Sequence, residues 1–208
     1  KKAVKQEEEL SSKILDKQIY LKDAISSMKH MKKDLEKSNR KLEKIAKYDV
    51  LSGLLNRQTL FAMMEVEIER ALRTGTPLSG IMMDIDNFKY INDNYGHPLG
   101  DEIIEEIGRR LKDSLRKYDL AGRYGGEEFF IILPNTLQSQ AYAWAERFRD
   151  DLCREPMRKK GHNLLVSASL GIAQFRPGDI RETWISRADQ AMYRAKEGGR
   201  NRSVIEEA

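Results

Sequence analysis

Residues 78–89 read Leu-Ser-Gly-Ile-Met-Met-Asp-Ile-Asp-Asn-Phe-Lys. The apolar stretch Ile81-Met82-Met83 ends in carboxylates, and a helical pattern begins just after it. Leu78 to Ile85 is therefore predicted as a buried strand and Asn87 to Tyr95 as a short helix. A strand end that meets a helix start suits phosphate. The N–H groups of Asn87, Phe88 and Lys89 point outward, and the helix dipole favours negative charge there. A carboxylate such as Asp84 at that strand end can hold a hard divalent ion. Taken alone, the stretch favours the plainer reading, a helix capped by an Asp with Lys89 in solvent.

A second stretch narrows the choice. Arg123-Tyr124-Gly125-Gly126-Glu127-Glu128-Phe129 sets two adjacent carboxylates after a Gly-Gly pair. The pair is a signal for a two-residue hairpin turn between strands at Leu120–Tyr124 and Glu127–Leu133. Neighbouring strand residues face opposite sides, so Glu127 and Glu128 take different roles unless the turn twists them. A solvated hairpin tip is the alternative reading.

Outward from these stretches, Thr59 to Arg73 has helical periodicity and stops at Gly75-Thr76-Pro77. Gly100 to Arg116, Ser139 to Arg154 and Ile180 to Lys196 are further predicted helices. Leu164 to Phe175 reads as one long strand with a bulge at Gly171, and Arg202 to Ile205 as a closing edge strand. The order α, β, α, α, β, β, α, β, α, β implies an α+β fold: a central, mainly antiparallel sheet flanked by helices.

The first 47 residues differ from the rest. They contain no Gly or Pro and carry 14 Lys+Arg against 8 Asp+Glu, whereas residues 48–208 carry 23 against 25. The basic excess lies wholly in this N-terminal stretch, and the acidic remainder argues against a nucleic-acid surface. Ile14, Leu21, Met28, Leu35 and Leu42 recur every seven residues, accompanied by Leu10, Lys17, Ala24, Met31, Ser38 and Ile45. This spacing predicts the seam of a parallel two-stranded coiled coil, weakened at Lys17 and Ser38, rather than a solvated single helix. Such a helix would be roughly 65–70 Å long at about 1.5 Å per residue. Two domains are expected: a dimerising, signalling coiled coil over 1–47 and a catalytic-size domain over 48–208. One cysteine, Cys153, excludes an internal disulfide framework. The longest uncharged run, Phe129 to Ala145, contains Pro134, Asn135, Gln138 and Gln140 and is not a membrane span. A cytoplasmic location without membrane contact is expected. A chain that begins at Lys1 is expected to be a piece of a longer protein.

Taken together the motifs resemble the GGDEF family of diguanylate cyclases. They are Asp84-Ile85-Asp86 with Phe88-Lys89, Ile91-Asn92-Asp93, Gly96-His97 and Gly100-Asp101, then Gly125-Gly126-Glu127-Glu128-Phe129. Asp49-Val50-Leu51-Ser52-Gly53-Leu54-Leu55-Asn56-Arg57 resembles the family's opening motif, with Ser52 where Thr is common. Ala195-Lys196-Glu197-Gly198-Gly199-Arg200-Asn201 resembles its closing one. The signature reads GGEEF, a variant the active family tolerates. The resemblance implies a fold similar to the palm of class III nucleotidyl cyclases. It also implies condensation of two GTP into cyclic di-GMP, with release of two pyrophosphates, by a homodimer whose domains face each other.

By motif position, the resemblance makes Asp84 and Glu127 ligands of Mg²⁺ or Mn²⁺, with the Ile85 carbonyl as a further ligand. Glu128 either helps hold a second metal or deprotonates the 3′-hydroxyl. Asn92 and Asp101 read the guanine edge, beside the substrate-binding stretch Asn87-Phe88-Lys89. Lys89, Lys196 and Arg200 neutralise phosphates. Asp86 is left a structural role, capping the next helix, and His97 a packing role. Arg116-Lys117-Tyr118-Asp119 matches the family's RxxD inhibitory site for product, to which Arg147 adds a contact. The competing reading is an inactive GTP or cyclic di-GMP receptor that signals through its coiled coil.

Overall fold

The structure, a computed structural model, describes residues 17, 20–22, 25, 28–38, 42, 45–159 and 161–207. The chain divides into two units, residues 1–46 and 47–208. Every described residue of the first unit is helical. Of the heptad positions, Leu21, Met28, Met31, Leu35, Leu42 and Ile45 are each more than half exposed in the single chain. Leu10, Ile14 and Ala24 lie outside the described residues.

The second unit runs α1 (Arg57–Thr74), β1 (Leu78–Ile85), α2 (Phe88–Tyr95), α3 (His97–Ser114), β2 (Leu120–Arg123), β3 (Glu128–Pro134) and α4 (Gln138–Arg154). It continues with β4 (Met157–Lys159), β5 (His162–Leu164), β6 (Ala168–Gln174), α5 (Arg181–Glu197) and β7 (Ser203–Ile205). Five strands form one sheet in the order β2-β3-β1-β6-β7. All neighbours are antiparallel except β7, which runs parallel to β6. The sheet is thus mainly antiparallel, as expected, and helices cover both faces.

Local chemistry sets the element ends. Asn56 caps α1 by accepting from the Thr59 N–H at 2.9 Å, and Gly75 closes the helix at φ +66°. All eight residues of the central strand β1 are buried. Its alternation divides the core in two. Ile81, Met83 and Ile85 pack with Phe129, Ile131 and the apolar faces of α2, α3 and α4. Leu78 and Met82 pack with Phe130, Trp184 and the apolar faces of α1 and α5.

Three local expectations are corrected. Gly125 and Gly126 do not form a two-residue turn. Arg123 already pairs with Phe129, so residues 124–127 form the loop, and neither glycine has a positive φ. A Cβ at Gly125 would lie 2.6 Å from Glu128 Oε2 and would displace that carboxylate. Gly171 is not a bulge, since it keeps register opposite Met82. The long strand predicted from Leu164 is interrupted. β5 turns back on β4 through Gly161 at φ +78°, and β6 starts only at Ala168.

At Gly171 the sheet touches α5 backbone to backbone. A Cβ would lie 2.1 Å from both the Ala188 carbonyl oxygen and the Met192 nitrogen. Neither atom belongs to a side chain that can swing away. Gly171→Ala is expected to lose about 3 kcal/mol or more of folding stability, read by urea unfolding, whereas Gly126→Ala, whose Cβ meets nothing within 4 Å, should stay near wild type.

Candidate active site

The site forms where β1 ends. Asp84 lies opposite Glu128 on β3 and Ser169 on β6, on the sheet face that packs against α1 and α5. It is 6% exposed. Burial pushes its pKa up to about 6; Lys196 opposes that rise, and the negative charges of Glu127 and Glu128 add to it. Lys196, in the last turn of α5, places its Nζ 2.7 Å from Asp84 Oδ2. Burial also raises the Glu128 pKa, with a further push from Asp189. Ile85, beside Asp84, takes a hydrogen bond back to the signature loop, its N–H donating to the Glu127 carbonyl at 3.3 Å.

The two glutamates open onto different spaces, as strand alternation requires. Glu127 lines a cavity of about 500 Å³ with Phe88, Lys89, Asn92, Asp101 and Arg123. Glu128 lines two others on the α5 side. In the Glu127 cavity the Asn92 Oδ1 is buried without a hydrogen-bond partner. A Cβ at Gly100 would sit 2.0 Å from it. An unpaired buried acceptor costs about 1–3 kcal/mol, which a ligand donor would relieve.

Asp86 is not a helix cap. Its side chain is buried and accepts from Ser167 Oγ (2.7 Å), Ser169 Oγ (2.7 Å) and the Asn201 backbone N–H (2.9 Å). Position 87, which begins α2, is a left-handed Asn with no capping hydrogen bond. Asp86 instead anchors the turn that carries Arg200. There Arg200 (φ +63°) and Asn201 (φ +46°) are successive left-handed residues, a costly pair that needs outside support. Asn87, Lys89, Asp101 and Arg200 are exposed, and Phe88 is buried. His97 opens α3 and lines the Glu127 cavity.

Sequence reasoning missed Arg123 and Asp49 as a pair. Arg123 donates through Nε (2.9 Å) and NH2 (2.7 Å) to the Gly126 carbonyl, and through NH1 to Asp49 at 3.3 Å. One side chain thus clamps the signature loop to the opening motif. Each residue was in a quoted motif, but nothing in the sequence pairs positions 74 apart.

Arg116 and Asp119 share a tight turn after α3. The Arg116 N–H donates to Asp119 Oδ2 at 2.9 Å, and burial raises the Asp119 pKa. The Arg116 side chain is exposed. Trp144 Nε1 donates to the Ser114 carbonyl at 3.4 Å. That brings the part of α4 bearing the exposed Arg147 to the same end of α3. β2 separates this turn from the signature loop by roughly 15 Å, at about 3.3 Å per residue.

A model of the diguanylate cyclase GGDEF domain matches residues 46–202. The chain belongs to the GGDEF family of diguanylate cyclases. It is 41% identical over 155 residues to the diguanylate cyclase DosC of Escherichia coli K12, covering 74% of this chain and 34% of that protein. The chain spans about a third of the length of such relatives. Among solved structures, it resembles the coiled coil and GGDEF domain of DgcB from Caulobacter crescentus in complex with c-di-GMP. There the TM-score is 0.80 at 27% identity, over 89% of this chain and 98% of that one. The active GGEEF domain of a Vibrio cholerae diguanylate cyclase matches with TM-score 0.69 and 36% identity, over 74% and 99%.

The residues fit a divalent cation. Asp84, Glu127, Glu128 and the Ile85 carbonyl are hard oxygen donors. The mutual repulsion of the carboxylates calls for positive charge, and the Lys196 ammonium stands on Asp84 where a cation would. Among the described residues no three His, Cys, Asp or Glu side chains already converge on one point. An ion here would therefore draw on phosphate oxygens as well. Binding needs Asp84 ionised. With its pKa near 6, Asp84 is about one-tenth ionised at pH 5 and almost fully ionised above pH 7. The affinity for Mn²⁺ with a GTP analogue should therefore weaken about tenfold from pH 7 to pH 5, as read by calorimetry.

Proposed function

We propose that this chain condenses two GTP into cyclic di-GMP as a homodimer. One observation carries the reading: a single cavity sets the unpaired Asn92 Oδ1 and Asp101 together with Glu127, whose charge reaches the buried carboxylate of Asp84. Guanine offers its ring N–H and exocyclic amine along one edge. Asn92 Oδ1 and the Asp101 carboxylate are acceptors for them. Adenine presents no such pair of donors, so ATP would leave the acceptors unpaired, at about 1–3 kcal/mol. Lys89, Lys196 and Arg200 neutralise the phosphates, and Lys196 exchanges Asp84 for a phosphate oxygen when nucleotide enters.

A bound Mg²⁺ or Mn²⁺ would supply Lewis-acid chemistry, offsetting phosphate charge and acidifying the 3′-hydroxyl; Asp84, Glu127 and the Ile85 carbonyl would hold it. Glu128, with its raised pKa, is matched to take the 3′-hydroxyl proton. The freed 3′-oxygen bonds to the α-phosphorus of the nucleotide on the facing domain. The bond from that phosphorus to the pyrophosphate oxygen breaks, and pyrophosphate leaves. One such event gives a linear dinucleotide, and the reciprocal one closes the ring.

Two domains must meet, which favours a tether that raises their effective concentration. The exposed apolar seam from Leu21 to Ile45 supports residues 1–47 as a parallel coiled coil. The linker, Lys47 to Asp49, is short, so a rotation or register shift of the seam would move the two sites together or apart. We further infer that the Arg116–Asp119 turn, with Arg147, binds cyclic di-GMP as an inhibitor. An exposed guanidinium there can contact a guanine edge.

Incubated with GTP and Mg²⁺, the protein should form cyclic di-GMP, and Glu128→Gln should form none by chromatography. Nucleotide binding without product from the wild type would favour the receptor reading instead. Arg116→Ala should keep turnover but raise the inhibitory concentration of cyclic di-GMP at least about tenfold, the cost of one charged contact.

A further inference from the structure

Glu128 faces a cavity that none of the assignments above uses. It measures about 490 Å³, within the range of small-molecule sites, and beside Glu128 it is lined by Arg57, Arg181, Phe61 and Tyr124 and by the carboxylates Glu182 and Asp189. It shares Glu128 with the active site but not Glu127, Asn92 or Asp101. Its two arginines lie over two aromatic rings that are tilted to each other. The Arg57 guanidinium lies 4.6 Å from the Tyr124 ring centre and 5.3 Å from that of Phe61, and Arg181 lies 4.6 Å from Phe61. Arg181 is already neutralised by Glu65 and Glu182. Among the described residues no carboxylate lies within ion-pair distance of Arg57. A guanidinium held over aromatic rings is oriented in advance, which suits phosphate.

The position of Arg57 in the chain says whose phosphate. Arg57 is the first residue of α1. Its neighbour Asn56 donates its N–H to the Lys47 carbonyl at 3.0 Å, and Tyr48 bridges to Leu55. Arg57 therefore stands beside the point where the chain enters the domain. If two N-terminal helices pair in parallel, the pair tethers those two entry points close together. The domain's own guanine-sized cavity opens on the other side of the signature loop, with Glu127. We propose that this second cavity is a phosphate-binding site acting in trans, in which Arg57 contacts the triphosphate of the nucleotide held by the facing domain.

This inference rests on the cyclase reading and goes beyond it by assigning a second substrate contact. On that assignment each bond-forming event needs Glu128 and Arg57 from the same chain. The test uses Arg57→Gln, Arg57→Lys and Glu128→Gln in the full chain. Arg57 is exposed, so the melting temperature should be unchanged while Arg57→Gln loses at least about a hundredfold in kcat. Arg57→Lys should lose about tenfold, and it carries the test if the Gln variant melts early. Arg57→Gln and Glu128→Gln chains are then mixed, with mixed dimers confirmed by native mass spectrometry, and given GTP and Mg²⁺. In trans, neither half has both groups, and linear dinucleotide stays at the residual level made by Arg57→Gln alone. Linear dinucleotide from the mixture well above that level would show that Arg57 serves its own nucleotide and would overturn the proposal, as would wild-type kcat in the Arg57 variants. Absence of cyclic di-GMP from the wild type would instead sink the cyclase reading itself.

Discussion

A carboxylate placed at the end of a wholly buried strand governs this domain. Asp84 is enclosed by β3 and β6, close to two more carboxylates, and its charge is costly there without a cation. The fold answers with Lys196, delivered from the last turn of α5. α5 can lie close enough because Gly171 lets its backbone touch β6. Around Asp84, positive charge is thus a structural need before it is a catalytic one. The Lys196 ammonium meets that need, and on the proposed reading a metal–nucleotide pair would take its place.

The same economy governs the next acidic residue. Asp86 spends its oxygens on two serine hydroxyls of the β6 approach and on the Asn201 backbone. It therefore holds two left-handed residues in the turn that presents Arg200. The Asp-Ile-Asp sequence divides the labour: one carboxylate waits for a cation, and the other fixes the loop that would meet phosphate. On the far side of the signature loop, Arg123 ties the Gly126 carbonyl to Asp49. Glu127 and Glu128 are thus presented from a loop pinned at both ends.

Much of this was legible in sequence where the signal is local. β1 was predicted at its observed bounds, because an apolar run between Pro77 and a helix start leaves little choice. The helices were found to within a few residues from their periodicity. The failures were long-range. The Gly125-Gly126 pair was read as a two-residue hairpin turn, when Arg123 already pairs with Phe129 and the loop takes in residues 124–127. Residues 164–175 were read as one strand because apolarity cannot reveal that Ser167 leaves the ladder to serve Asp86. The β4–β5 hairpin was missed because Arg158 and Lys159 do not alternate with apolar residues. Asp86 was read as a cap because that is the nearest use for an acid before a helix; its partners lie more than 80 residues away.

The exposed seam and the Arg57 cavity share a logic. A domain that performed a one-substrate reaction has no evident use for a guanidinium held over aromatic rings beside Glu128. It would gain nothing from an apolar stripe left in water along 25 residues, from Leu21 to Ile45. Both become economical if the reactive unit is two chains. The stripe is then buried by its copy at roughly 25 cal/mol per Å², and the cation is neutralised by a phosphate from across the axis. Pairing by the helices alone sets proximity, whereas a trans contact rewards only those pairings in which a loaded nucleotide reaches the other domain's Arg57. The contact thereby turns a tolerant tether into an alignment-sensitive one, because a weak seam can sample several registers and only the productive register brings phosphate to that guanidinium.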